Sequence, residues 1–173
     1  MKAFIVDRYK KKGALRFGEM PEPELRDDDV LVQIHAAGVN MLDSKIRDGE
    51  FKLILPYRLP LILGNDVAGI VVRVGRKVRR FKPGDEVYAR PRQDRIGTYA
   101  EFIAMNEADV ALKPKNLNME EAASIPLVGL TVWQSSRQAL RSWALKGSTG
   151  RDHRTKTSRP RIPPPRRRPS HTR

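Results

Sequence analysis

The chain has 173 residues, 34 of them Lys or Arg against 20 Asp or Glu, for a formal charge of +14. That length has room for one domain and little more, and the absence of cysteine excludes disulfides, thiolate metal sites and a cysteine nucleophile. The charge is not spread evenly, since residues 135–173 contribute +11 and the first 134 only +3, so basicity by itself does not make the body of the chain a nucleic-acid binder.

Met1–Val6 and Leu15–Glu19 read as short strands around a Lys-rich turn at 10–13, and Met20-Pro21-Glu22-Pro23 cannot continue a ladder because two prolines remove donors. Asp29–Ala37 alternates with period two, Val30, Val32, Ile34 and Ala36 facing one way, which predicts a strand. His35 lies inside this pattern with no second histidine nearby and is expected to be packed or on the surface. Asn40–Asp48 changes to helical spacing, with Asn40 at the N-cap, Asp43 as the reciprocal member of a capping box and Gly49 as the stop. A proline-punctuated loop over 55–63 leads to an apolar strand run, Val67–Val74, broken by Gly69 and closed by Gly75. Lys82-Pro83-Gly84-Asp85 is written as a type II turn, after which Val87–Ala89 doubles back.

Beyond a charged loop at 90–95, Gly97–Ala104 alternates like a strand, Val110–Leu112 adds another, and Asn118 caps a short helix over Met119–Ala123 with Glu120 and Glu121 in its first turn. Many short strands with few helices predict a mainly β fold with short helices, a small partly open barrel. Arg137–Lys146 extends a basic amphipathic helix begun near Leu127, and Gly147–Gly150 ends it. Arg159–Arg173 is so rich in Arg and Pro that disorder is expected of it. No apolar run approaches the roughly 18 residues of a membrane span, and Met1–Val6 leads into charge rather than a signal-peptide core. The expectation is a soluble, unprocessed, cytoplasmic chain that does not enter a membrane.

The run L-G-N-D-V-A-G-I-V-V-R-V-G from Leu63, the K-P-G-D-E-V turn, A-A-G-V-N-M-L-D-S-K-I-R-D-G over 36–49 and L-K-P-K-N-L-N-M-E-E-A-A-S-I-P-L-V-G-L-T-V-W-Q over 112–134 resemble, in order, the medium-chain dehydrogenase/reductase superfamily. The likeness is to the zinc-free quinone oxidoreductase branch, covers about 1–134, and stops after Gln134. It implies a GroES-like partly open β-barrel, the N-terminal domain of an NADPH-dependent oxidoreductase that reduces quinones, enones or related carbonyl substrates, in a family that often dimerises. Zinc-dependent members carry Cys where this chain has Asn40 and Gly-His-Glu where it has Gly64-Asn65-Asp66, so a catalytic zinc is not expected, and the lobe for a structural zinc is missing.

By the same resemblance Asn40 lies beside the nicotinamide and substrate, Thr131 lines the cofactor cleft, and Phe51 stands where quinone reductases often have Tyr, keeping a ring but no hydroxyl. Plainer readings stand beside these: Asn40 a helix cap, Thr131 an ordinary helix residue, Phe51 a loop anchor. Asp43 and Asp66 are the nearest carboxylates. Capping for Asp43 and turn or strand-edge hydrogen bonding for Asp66 outweigh a general-acid role, which would need a raised pKa in a dry cleft.

Hydride transfer in the family needs a dinucleotide domain announced by a glycine-rich strand-to-helix turn, and none follows Gln134. The chain is therefore expected to be the N-terminal half alone, 1–134, followed by an Arg/Pro-rich, out-of-frame tail over 135–173, inactive without the cofactor domain. Nonspecific, salt-dependent binding of nucleic acid or another anionic surface by the tail is the alternative.

Overall fold

A computed structural model describes residues 1–148, and the side chains of 1–138. The chain divides into one compact unit, Met1–Ser136, and a second, Arg137–Arg173. The expected disorder of Arg159–Arg173 and the nucleic-acid reading of the tail fall outside the described residues.

The first unit is mainly β, as its short alternating runs predict. One sheet has the order β2-β1-β4, from β1 (Lys2–Val6), β2 (Arg16–Glu19) and β4 (Leu61–Ile62). The other has the order β7-β3-β5-β6-β8, from β3 (Asp29–Gly38), β5 (Asp66–Val74), β6 (Glu86–Ala89), β7 (Phe102–Asn106) and β8 (Val110–Leu112). Every strand pair is antiparallel. The sheets meet where Ala3 bridges Ala100 and the Phe4 N–H donates to the Tyr99 carbonyl at 2.8 Å, so the whole curls into the expected half-open barrel.

β3 is central, between β5 and β7, and is buried on both faces from Asp29 to Val32. The strict alternation expected through Ala37 is interrupted by register irregularities at Leu31/Val32 and Ile34/Ala36, where the strand bends around the barrel. His35 is exposed. The core fills with the β-branched side chains that favour a pleated surface: Val30, Val32, Val67, Val71 and Val87, joined by Ile103. β5 runs unbroken through Gly69, contrary to the break expected there. A Cβ on Gly69 would lie 2.1 Å from the Gln33 carbonyl oxygen, so the missing side chain lets β3 and β5 close up rather than ending the strand.

The turn at 82–85 forms as its residues dictate, with Gly84 at φ 93° and the Asp85 N–H donating to the Lys82 carbonyl at 3.2 Å. The strand expected over Gly97–Ala104 begins only at Phe102. Gly97 has φ 144°, and the residues up to Glu101 make single bridging bonds between the two sheets rather than a ladder. Leu61–Ile62, assigned to a loop because prolines stand at 56 and 60, pairs with Ile5 and Val6.

Three α-helices accompany the sheets among the described residues. α1 (Met41–Asp48) ends on Gly49 at φ 81°, and α2 (Met119–Ala123) has the Asn118–Glu121 capping box. α3 (Pro126–Ser148) is the helix expected to begin near Leu127, running through Arg137–Lys146 into 147–150, where its end was expected. Val128, Leu130, Val132 and Trp133 on its first part are exposed.

Candidate active site

Four chain segments meet at one end of the larger sheet: the exit of β3, the start of α1, the entry to β5 and the start of α3. Gly38 pairs with Asp66 across β3 and β5, which brings Asn40, two residues past Gly38, beside the Asp66 carboxylate. Asp43, Asn65 and Asp66 are all buried there, at 3 %, 0 % and 1 % exposure. Polar groups so enclosed must find partners, and these largely find one another.

Asn40 and Asp43 form the expected capping box, with Asp43 Oδ2 accepting the Asn40 backbone N–H at 2.8 Å. The Asn40 side-chain nitrogen donates to Asp66 Oδ2 at 2.8 Å, and Asn65 Nδ2 donates to Asp43 Oδ1 at 2.7 Å. The Tyr99 hydroxyl donates to Asp43 Oδ2 at 2.8 Å. Asp66 Oδ1 accepts the Leu127 N–H at 2.7 Å, in the first turn of α3. Pro126 opens that helix with no N–H of its own, so Asp66 satisfies the first available donor from 61 residues away. The strand-edge hydrogen bonding expected of Asp66 is thus a long-range helix cap.

Burial pushes the Asp66 carboxyl above the ordinary carboxylate range. The Asn40 and Leu127 donors and the Arg90 charge pull the other way, and the Asp43 charge adds to the rise. Burial likewise raises the Tyr99 hydroxyl, reinforced by its bond to Asp43. A raised carboxyl in an enclosed place is what a proton-handling role would require, and desolvation supplies it here.

The structure brings Asn40, Asp43 and Asp66 into one network. Phe51 joins instead an apolar cluster around Val6, Ile46 and Leu63, as a loop anchor would. Tyr99 packs against the same cluster while its hydroxyl reaches Asp43. Thr131 is exposed on α3 and its hydroxyl donates to the Leu127 carbonyl at 2.7 Å, the bond of an ordinary helix residue. Sequence reasoning gave no role to Asn65, Tyr99 or Arg90. Asn65 could have been suspected from its place beside Asp66, but nothing near Tyr99 in the chain points to a carboxylate 56 residues away.

All strand pairs being antiparallel, the described residues contain no parallel strand pair and no glycine-rich strand-to-helix turn, the two parts that cradle a dinucleotide pyrophosphate. They do not by themselves fit a whole NADPH. Among the described residues no group of three or more His, Cys, Asp or Glu is placed to hold a metal, and no helix is long and apolar enough to cross a membrane.

This curled antiparallel barrel, with a polar node where α1 and α3 begin, is that of the alcohol dehydrogenase GroES-like domain family, whose pattern matches residues 26–115; the chain belongs to that family. Its relatives are NAD(P)H and quinone oxidoreductases of the medium-chain dehydrogenase/reductase superfamily. It is 38% identical over 149 residues to the human "NAD(P)H oxidoreductase RTN4IP1, mitochondrial", covering 78% of this chain and 38% of that one. With the Arabidopsis thaliana "NADPH-dependent alkenal/one oxidoreductase, chloroplastic" it shares 40% identity over 136 residues, 73% of this chain and 34% of the relative. Among solved structures, the quinone oxidoreductase from Coxiella burnetii superposes with a TM-score of 0.76 at 33% identity, covering 80% of this chain and 45% of that one. The chain thus spans little more than a third of the length of the curated relatives it matches.

Proposed function

We propose that the described residues form the substrate-side wall of a zinc-independent, NADPH-dependent oxidoreductase that reduces quinones or conjugated carbonyl compounds. Asn40 and Asp66 sit at the cleft where the nicotinamide meets substrate, and α3 is the connection toward the part that holds the nucleotide. The observation that carries this reading is the node in which one carboxylate, Asp66, ties Asn40 to the first turn of α3. It fixes the geometry of the helix that leads out of the barrel. The exposed apolar residues Val128 and Val132 on one face of the helix and Leu130 on the other support it, because apolar side chains on opposite faces suit a helix covered by further protein.

Zinc independence is supported by chemistry. At the positions where zinc-dependent relatives have Cys and His, this chain has Asn40 and Asn65, and both amide nitrogens are used as donors to carboxylates. An amide nitrogen has no lone pair to give a metal. The reduced nicotinamide supplies the hydride when bound; the chain's own residues orient substrate and keep water out.

Because no pyrophosphate cradle lies among the described residues, the 173-residue chain alone is expected neither to bind NADPH tightly nor to turn over. Fluorescence titration of the purified chain with NADPH tests this, with no saturation in the low-micromolar range as the expected result. Saturable binding at low micromolar concentration would refute it.

A further inference from the structure

Three arginines of the described residues are partly buried: Arg47, Arg90 and Arg95. Arg47 pairs with Asp48 at 2.8 Å, and Arg95 grips Asp29 with two nitrogens at 2.9 and 2.8 Å. Arg90 has no ion pair or hydrogen bond among the described residues, and its Nε is buried without a partner. A buried cationic donor left unmet is costly, so its persistence calls for a role.

The placement is specific. Val67 pairs with Ala89 across β5 and β6, so Asp66 and Arg90 take the next adjacent positions past the end of that ladder. Asp66 is the obvious partner, yet its two oxygens go to Asn40 and Leu127. Arg90 instead lines a cavity of about 430 Å³ between the β6–β8 edge and the first turns of α3, whose walls include Ala89, Val110, Pro126, Gly129 and Leu130. Arg80, also on the lining, donates to the Glu107 carbonyl at 3.1 Å. Three other buried polar atoms of the described residues lack a partner, Asn65 Oδ1, Thr98 Oγ1 and the Tyr57 hydroxyl, and the Arg90 charge opposes the rise that burial gives Tyr57.

We propose that Arg90 is a substrate-positioning residue, whose guanidinium donates from its fork to the oxygen of a quinone or conjugated ketone seated in this cavity. The proposal rests on the reading of the domain as the substrate-side wall. A cavity with mostly apolar walls, where Arg80 is already engaged by the Glu107 carbonyl and Arg90 is not, suits a largely hydrocarbon ligand carrying a polarised oxygen. A full anion would meet attraction from Arg80 and Arg90 but also repulsion from Asp66 at the adjacent position and Asp109 on the lining, the latter held by Arg92 at 2.9 Å. A neutral carbonyl takes the hydrogen bond without meeting that repulsion.

The test uses the 173-residue chain and duroquinone, a fully substituted quinone that does not add to nucleophiles. The Nε–H resonance of Arg90, identified by its loss in R90K, is followed by ¹⁵N NMR during titration with duroquinone and, separately, with inorganic phosphate. Expected are a saturable shift with duroquinone, little response to phosphate, and a dissociation constant raised about tenfold or more in R90A, the loss of one charge-assisted hydrogen bond. Once assigned, the wild-type resonance reports binding without relying on how R90A folds. Equal duroquinone affinity in wild type and R90A, with the resonance unmoved, would overturn the role of Arg90 and leave the substrate-wall reading standing. Saturation by phosphate but not duroquinone would make this an anion site and overturn it too. No duroquinone binding by the wild type would sink both the inference and the functional reading on which it rests.

Discussion

Two aspartates open the two central strands of the larger sheet, Asp29 at the head of β3 and Asp66 at the head of β5, and both are 1 % exposed. Burial would raise either carboxyl. At Asp29 it is outweighed by the Arg95 guanidinium and the Arg26 N–H, so the carboxyl stands below its ordinary value. Asp66 is given only neutral donors, Asn40 and the Leu127 N–H, and stands above it. The cation best placed to neutralise Asp66, Arg90, is left unpaired. One end of the sheet thus uses its arginine in a salt bridge, whereas at the other Arg90 acts on Asp66 through its charge without a salt bridge, the arrangement the proposed site calls for.

The contrast breaks most visibly at Asp29. D29N removes one partner of a buried, doubly hydrogen-bonded pair and leaves Arg95, 21% exposed at its side chain, without its counter-charge. A loss of about 3 to 5 kcal/mol in unfolding free energy is expected by urea denaturation. Y99F deletes the hydroxyl donor of Asp43 while the ring keeps its packing, and is expected to cost about 1 to 3 kcal/mol in the same assay. D66N, by contrast, removes a charge that burial opposes but keeps one oxygen for two donors, the Leu127 N–H and the Asn40 amide, so its cost at neutral pH is expected to be about 1 kcal/mol, that of one neutral hydrogen bond.

The two aspartates respond to pH in opposite directions. Asp29 has a lowered folded-state value, so its stabilisation is present above the unfolded value near 3.8 and is lost as pH falls through the folded one. Asp66 has a raised value; its protonated form favours the folded state, fully below 3.8, and that contribution is lost as pH rises toward the folded value. Denaturation from pH 3 to 7 should therefore show stability rising less with pH in D29N than in wild type, and more in D66N. The smallest effect belongs to T131A, expected within about 0.5 kcal/mol of wild type because the Thr131 hydroxyl bonds only to its own helix on an exposed surface.

How much of this could be read from the sequence follows the range of the interactions. The Asn40–Asp43 cap was legible because its partners stand three residues apart on one helix start, and the 82–85 turn because Pro83 and Gly84 carry their own backbone preferences. The role of Asp66 was not. Its partners lie 26 residues back and 61 ahead, and only the β3–β5 register and the path of α3 bring them together. β4 was hidden because two residues paired with β1 leave no periodicity to detect. Gly97–Glu101 misled for the opposite reason: its residues are strand-like, but they stitch two sheets together instead of extending one.

The most direct measurement is the titration of the aspartate side-chain carboxyl carbons by ¹³C NMR, which reads the two aspartates in the same sample. Asp66 is expected to titrate above 3.8 and Asp29 below it. Asp66 titrating at or below 3.8 would mean that Arg90 is neutralising it after all, and the distinction between a site end and a scaffold end of the sheet would be contradicted.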